Sequence, residues 1–198
     1  NLLNQVEKII FVSEWVQKRF FIDLDQRLLN KTEVVYPSIH KQNKLFKKEK
    51  KIVFVGKLNP SKGYDIYRDA IIKILNEYPK WKAYSIGDEK RNKPIIDHKN
   101  HIELGYLPHK KVLNFLSMVE IAVVPSRWEE PFGRSALEAS SRGCATIISK
   151  RGGLPETSDH CIVLKKLDYK NLYNEIKKLI TKPNLRKHYQ KKGFFNVK

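Results

Sequence analysis

From residue 51 onward the chain alternates short apolar runs with amphipathic stretches. Ile52-Val53-Phe54-Val55 closes on Gly56, Ala83-Tyr84-Ser85-Ile86 on Gly87, and Ile102-Glu103-Leu104 on Gly105. Ile121-Ala122-Val123-Val124 closes on Pro125, Ala145-Thr146-Ile147-Ile148 leads to Gly152-Gly153, and Cys161-Ile162-Val163-Leu164 comes last. Runs this short and this rich in β-branched residues suit strands buried on both faces. Between them the apolar positions change to a helical period: Tyr64–Tyr78 puts Ile66, Ala70, Ile71, Ile74 and Leu75 on one side. Lys110–Met118, Ser135–Arg142 and Leu172–Ile180 repeat the pattern. The alternation predicts an α/β fold with a doubly wound, six-stranded parallel sheet.

The first 40 residues read differently. Lys8–Val12 has the pattern of a strand, Ser13 of an N-cap with Glu14 in the first turn, and Trp15–Phe21 of a short helix. Val34-Val35-Tyr36 reads as a second strand stopped by Pro37. A strand–helix–strand piece cannot make its own core, so residues 1–40 read as the tail end of a preceding domain. Residues 41–51 read as a basic linker and 52–198 as the main domain.

The 41% hydrophobic content can fill a core of this size, which excludes a wholly disordered chain. No run approaches the ~18 apolar residues of a membrane-spanning helix, and Asn1-Leu2-Leu3 shows no signal-peptide pattern. Cys144 and Cys161 each sit in an apolar run and read as reduced, buried thiols, so the expected location is the cytoplasm. The net charge of +18 raises the question of a polyanion. Its distribution answers in part: 1–40 is neutral, 41–51 carries +5, 52–164 only +4, and 165–198 carries +9. Lysines outnumber arginines 30 to 9, which disfavours fork-type recognition of phosphates, and nucleic acid is not expected as a partner. A solvated lysine surface is the first reading, and a peripheral contact with an anionic membrane face the second.

Ligands of open α/β sheets bind beyond the carboxyl ends of the strands, and the unusual residues collect there. Gly56-Lys57-Leu58-Asn59-Pro60-Ser61-Lys62-Gly63 follows the first main strand. Its glycines allow tight turning, and its two lysines can meet a diphosphate. It lacks the spacing of a P-loop, and no Gly-x-Gly-x-x-Gly occurs in the chain. Taken alone, this loop could be an ordinary βα turn with surface lysines. After the fourth strand, Glu130-Pro131-Phe132-Gly133 opens a helix that carries Glu138. Amides at Phe132, Gly133 and Arg134 leave the helix start, where a phosphate is favoured. Glu138 is an acceptor-only group suited to a ribose diol, and the spacing lets Glu130 and Glu138 face one pocket.

The run Glu130-Pro131-Phe132-Gly133-Arg134-Ser135-Ala136-Leu137-Glu138 resembles the E-x7-E signature of the retaining glycosyltransferases of family four. Gly56-Lys57-Leu58 through Lys62-Gly63, Gly105-Tyr106-Leu107 through Pro125-Ser126, and Gly143-Cys144-Ala145 through Gly152-Gly153-Leu154-Pro155-Glu156 resemble further segments of that family, in its order. Phe11-Val12-Ser13-Glu14 and Val35-Tyr36-Pro37 resemble the end of its acceptor domain. The resemblance implies the GT-B fold, of which this chain would be the Rossmann-like C-terminal half with a remnant of the missing acceptor domain.

It also implies roles. Lys57 and Lys62 would hold the donor diphosphate, and Glu130 would lie against the donor sugar, these three forming the catalytic set. Gly56, Phe132, Gly133 and Arg134 would line the donor site, Glu138 would hold the ribose, and backbone near Leu107 would read the base. The co-substrate would be a UDP- or GDP-type sugar, with no metal or other cofactor. The acceptor would be a glycan or a lipid-linked sugar, as in lipopolysaccharide synthesis. The family usually has Arg where Lys57 stands, which keeps the charge and loses the fork. Turnover by this chain alone is not expected. A glycosidase pair is disfavoured, because a carboxylate engaged by a ribose cannot act as acid or nucleophile. The alternatives are a non-catalytic nucleotide-sugar or polyanion-binding module and a GT-B nucleotide-sugar epimerase.

Overall fold

The computed structural model describes residues 5–22, 26–40, 42–91 and 93–196. Readings that fall on residues 1–4, 23–25, Lys41, Asn92 and 197–198, including the chain start and the last basic residue, lie outside the described residues.

Two parallel sheets are present among them. The small one pairs β1 (Ile9–Phe11) with β2 (Thr32–Val34), joined through α1 (Glu14–Phe20). Ser13 caps α1 as its sequence position suggests: its hydroxyl accepts the Val16 N–H at 3.1 Å. The second strand sits two residues earlier than expected, because the turn at Gln26–Lys31 delivers the chain to the edge of β1 already at Thr32.

The main sheet has six strands, all parallel, in the order β5-β4-β3-β6-β7-β8. They are β3 (Glu49–Val55), β4 (Lys82–Ile86), β5 (His101–Glu103), β6 (Val119–Val124), β7 (Ala145–Ile148) and β8 (Ile162–Val163). Helices α2 (Tyr64–Glu77), α3 (His109–Ser117), α4 (Arg134–Ser141), α5 (Tyr169–Thr181) and α6 (Pro183–Phe195) cover both faces. Successive side chains of a strand point to opposite faces. Ile52 and Phe54 therefore join the core under α2 and α5, while Val53 joins the one under α3. Phe54 lies 5.1 Å from the ring of Tyr64 and 5.5 Å from that of Tyr67, and the buried Tyr67 hydroxyl donates to the Tyr84 carbonyl at 3.0 Å. That bond spares the core the cost of an unmet polar group.

The structure corrects three parts of the sequence reading. Residues 49–51, assigned to the linker, belong to β3. Within the same linker Lys48 is not a solvated charge: its ammonium donates to the Leu116 carbonyl at 3.2 Å and to the Arg142 carbonyl at 2.5 Å. It thus closes the C-terminal ends of α3 and α4, where a cation is favoured, and burial pulls its pKa below the ordinary lysine value. The strand at Ile102 is an exposed edge rather than one buried on both faces.

The basic C-terminal segment also holds two helices where one was read. Helix α6 is polar on nearly every side and buries Arg186 and Gln190. Arg186 donates to Glu120 at 2.6 Å and to the Leu179 carbonyl at 2.6 Å, with its guanidinium 5.2 Å from the Trp81 ring. Part of the +9 charge is therefore structural. No described helix is long and apolar enough to cross a membrane.

Candidate functional site

The loops after β3 and β6 are tied together at the carboxyl edge of the sheet. Asn59 caps the short turn Pro60–Lys62, its side-chain oxygen accepting the Lys62 N–H at 3.2 Å. Gly63 follows with φ +75°, a conformation that favours glycine. The Ser61 carbonyl accepts the backbone N–H groups of both Arg127 and Trp128 at 2.9 Å. The Arg127 fork grips Asp65 at 2.6 and 2.7 Å. Burial would raise the Asp65 pKa, but the guanidinium outweighs it and holds the carboxyl below its ordinary value.

This scaffold brings Lys62 and Glu130 together across 68 positions of sequence, with the ammonium 2.7 Å from Oε1. The same oxygen accepts the Ser126 hydroxyl at 2.9 Å, and Ser126 is buried. A cavity of about 460 Å³ opens over the pair. Gly56, Lys62, Glu130, Phe132, Gly133 and Arg134 line it, joined by Val12 and Pro37 from the N-terminal unit. Gly133 stands at φ +107° before α4, and a Cβ there would meet Leu154 Cδ2 at 2.4 Å. The first amides of α4 have no intrahelical acceptor, as at any helix start, and lie at the cavity rim.

Three expected site residues do not line this cavity. Lys57 is exposed. Leu107 is half-buried against the core under α3. Glu138 is buried one turn into α4, with His109 Nε2 at 3.0 Å and the Arg134 guanidinium at 3.7 Å from Oε1. The two carboxylates of the E-x7-E run therefore do not share this cavity: Glu130 is held by a lysine and a serine, Glu138 by a histidine and an arginine. Phe132 contributes its ring as well as its backbone, packing 5.8 Å from Tyr36.

Sequence reasoning gave no role to Ser126, His109, Arg127 or Glu156. Glu156 receives the backbone N–H groups of Glu14 at 2.7 Å and Trp15 at 2.8 Å, and the Tyr36 hydroxyl at 3.1 Å. It fastens α1 and the segment after β2 to the main sheet. Burial, then the adjacent carboxylate, pushes the Tyr36 phenol up to about 12. Only the Pro-Glu at a turn could have hinted at such a latch. Replacing Glu156 with Ala should cost about 2 kcal/mol, the loss of charge-assisted bonds in a partly buried place. Chemical denaturation checks it, and a loss below about 0.5 kcal/mol would mean the latch is ornamental.

The model of the family described as "Glycosyl transferases group 1" matches residues 35–194. The uncharacterized glycosyltransferase MJ1178 of Methanocaldococcus jannaschii is 31% identical over 197 residues, covering 94% of this chain and 53% of that protein. An uncharacterized 42.6 kDa protein in the cps region of Klebsiella pneumoniae is 33% identical over 112 residues, covering 56% of this chain and 29% of that protein. The chain thus spans about half, or less, of the curated relatives it matches. Among solved structures, Anabaena Alr3699/HepE in complex with UDP superposes with a TM-score of 0.78 at 18% identity, over 96% of this chain and 58% of that one.

Proposed function

The chain belongs to the group 1 glycosyl transferases, and from that premise we propose that it is the donor-binding part of a retaining, family-four enzyme with the GT-B fold. Residues 49–198, with β3 starting at Glu49, bind a nucleotide-diphosphate sugar, 41–48 connect, and 1–40 are the end of the acceptor domain. The observation that carries this reading is the Lys62–Glu130 pair over the cavity at the carboxyl edge of the sheet.

In this reading the diphosphate takes Lys62 from Glu130, with Lys57 swinging in from the surface and the amides of Gly133 and Arg134 completing the contact. Glu130, released from the ammonium, accepts hydroxyls of the donor sugar and faces the positive charge that grows at the anomeric carbon. Ser126 keeps it oriented. The bond from anomeric carbon to phosphate oxygen breaks as the acceptor oxygen attacks from the same face, and the leaving phosphate takes the acceptor's proton. Glu138 holds the ribose diol through Oε2 while His109 and Arg134 occupy Oε1. The base lies beside Leu107. UDP is the favoured nucleotide, since the Anabaena neighbour is described in complex with it. A surface glycan or lipid-linked acceptor is favoured by the cps-region relative and by the lysine-rich surface, which suits an anionic membrane face.

Glu138→Ala tests the ribose assignment. Its UDP affinity, measured by calorimetry, should fall by about 1.5–3 kcal/mol with little loss of fold. Parent-like affinity would sink the assignment.

A further inference from the structure

A second cavity, of about 520 Å³, lies between α1 and the turn that carries Glu130, and it is lined by Trp15, Arg19, Arg127, Trp128 and Glu129. Its composition is unusual for this chain. Of the three tryptophans in the sequence, two are here; the third, Trp81, is buried in the core beneath Arg186. Arginine is scarce beside lysine, 9 against 30, yet two of the lining residues are arginines.

Both indoles are mounted on fixed backbone. The Trp128 backbone N–H donates to the Ser61 carbonyl at 2.9 Å, in the loop that carries Lys62, and the Trp15 backbone N–H donates to the Glu156 carboxylate at 2.8 Å. Arg127 is pinned by Asp65 and by the Pro60 carbonyl at 2.6 Å. Glu129 is drawn aside, its carboxylate meeting Arg151 at 3.1 Å and the Gly152 N–H at 2.5 Å. Trp128 is nevertheless 58% exposed, a large apolar face held open to solvent beside guanidinium groups. Glu129 lines this cavity and Glu130 the donor cavity, so adjacent residues of one turn serve both.

We propose that this second cavity is an acceptor subsite for an acidic sugar, a hexuronate ring of the growing glycan. The sugar's axial C–H face would lie on the Trp128 indole, and its carboxylate would meet Arg19, a pairing that fork geometry favours. The adjacency of the two cavities would place the neighbouring sugar of the same glycan toward the donor cleft. The proposal rests on the transferase reading, which supplies the reason for a glycan here. A lipid surface is the less suitable occupant, because the site is concave and one of its two indoles is half-buried in the wall.

The test titrates the 198-residue chain with a tetrasaccharide of alternating glucuronate and N-acetylglucosamine, and with its carboxyl-reduced form, at physiological salt, reading affinities by calorimetry in every variant and following tryptophan fluorescence in the parent. The acidic sugar should give a saturable change, and the reduced form should bind about tenfold more weakly. Trp128→Ala and Arg19→Gln should each weaken binding by about tenfold, Trp128→Phe should retain most of it, and UDP affinity should stay within about twofold in all three. Equal affinity for both sugars, no response to the acidic one, or parent-like binding by Trp128→Ala would each overturn the proposal. So would a fluorescence change produced by phosphatidylglycerol vesicles and not by the sugar. If the chain binds the acidic sugar but not UDP, the donor-site reading fails and the subsite stands.

Discussion

Lys62→Ala should weaken UDP binding by about 1.5–3 kcal/mol, roughly tenfold to a hundredfold, the range for a hydrogen bond to a charged group. The effect has a second part, visible without ligand. Lys62 is the ammonium bonded to Glu130, whose side chain is only 15% exposed, so its removal leaves a largely buried carboxylate with the Ser126 hydroxyl and no cation. Stability should therefore fall as well. The double variant Lys62→Ala with Glu130→Gln separates the two: the orphaned charge is gone and stability should recover, while UDP affinity should not. Calorimetry and chemical denaturation on the three proteins decide it. Parent-like UDP affinity in Lys62→Ala would remove the lysine from the diphosphate site, and affinity restored in the double variant would mean that its loss reflected the stranded carboxylate alone.

Gly63→Ala should lower stability by about 3 kcal/mol or more. The residue holds φ +75°, which costs a side chain about 1–2 kcal/mol, and the new Cβ would come 1.9 Å from the Pro125 carbonyl oxygen, a backbone atom that cannot rotate away. For a chain of this size the thermal midpoint should drop by about 6–12 °C. The displacement falls where the loop of Lys62 meets the loop of Glu130, so any folded fraction should also bind UDP more weakly than the parent. A midpoint within about 2 °C of the parent would show that the two loops are not locked as described.

The periodic parts of this fold are legible in the sequence for a plain reason. The central strands β3, β4, β6 and β7 lie between helices, so Ile52-Val53-Phe54-Val55 and its counterparts there are apolar over most of their length, and the glycines and proline that end them mark where the chain leaves the sheet. Helix α6 escaped the same reading because its buried face is made of Arg186, Gln190, Gly193 and Phe194, which an apolar pattern does not register. Its burial becomes tolerable through partners outside the helix: Glu120 of β6 for both Arg186 and Gln190, and the Leu179 carbonyl of α5 for Arg186.

The candidate site divides in the same way. Glu130, Phe132, Gly133, Arg134 and Glu138 are neighbours in sequence at the start of one helix, and residue types in that order are enough to single them out. Ser126 and Arg134 lie only four positions from the carboxylates they meet, but the other partners are far away in the chain. Lys62 meets Glu130 across 68 positions, His109 meets Glu138 across 29, and the first turn of α1 meets Glu156 across 142. A strand-and-helix pattern specifies local backbone through forces that act within a turn or a pleat, so the sequence by itself determined most of the elements, their parallel winding and the sheet edge where the unusual residues collect. Which side chains face each other across that edge, whether two carboxylates share a cavity, and whether a lysine is solvated or caps two helices depend on how separate crossovers pack. Only the tertiary structure decided these, because burial and charge pairing act between atoms near in space, whatever the length of chain between them.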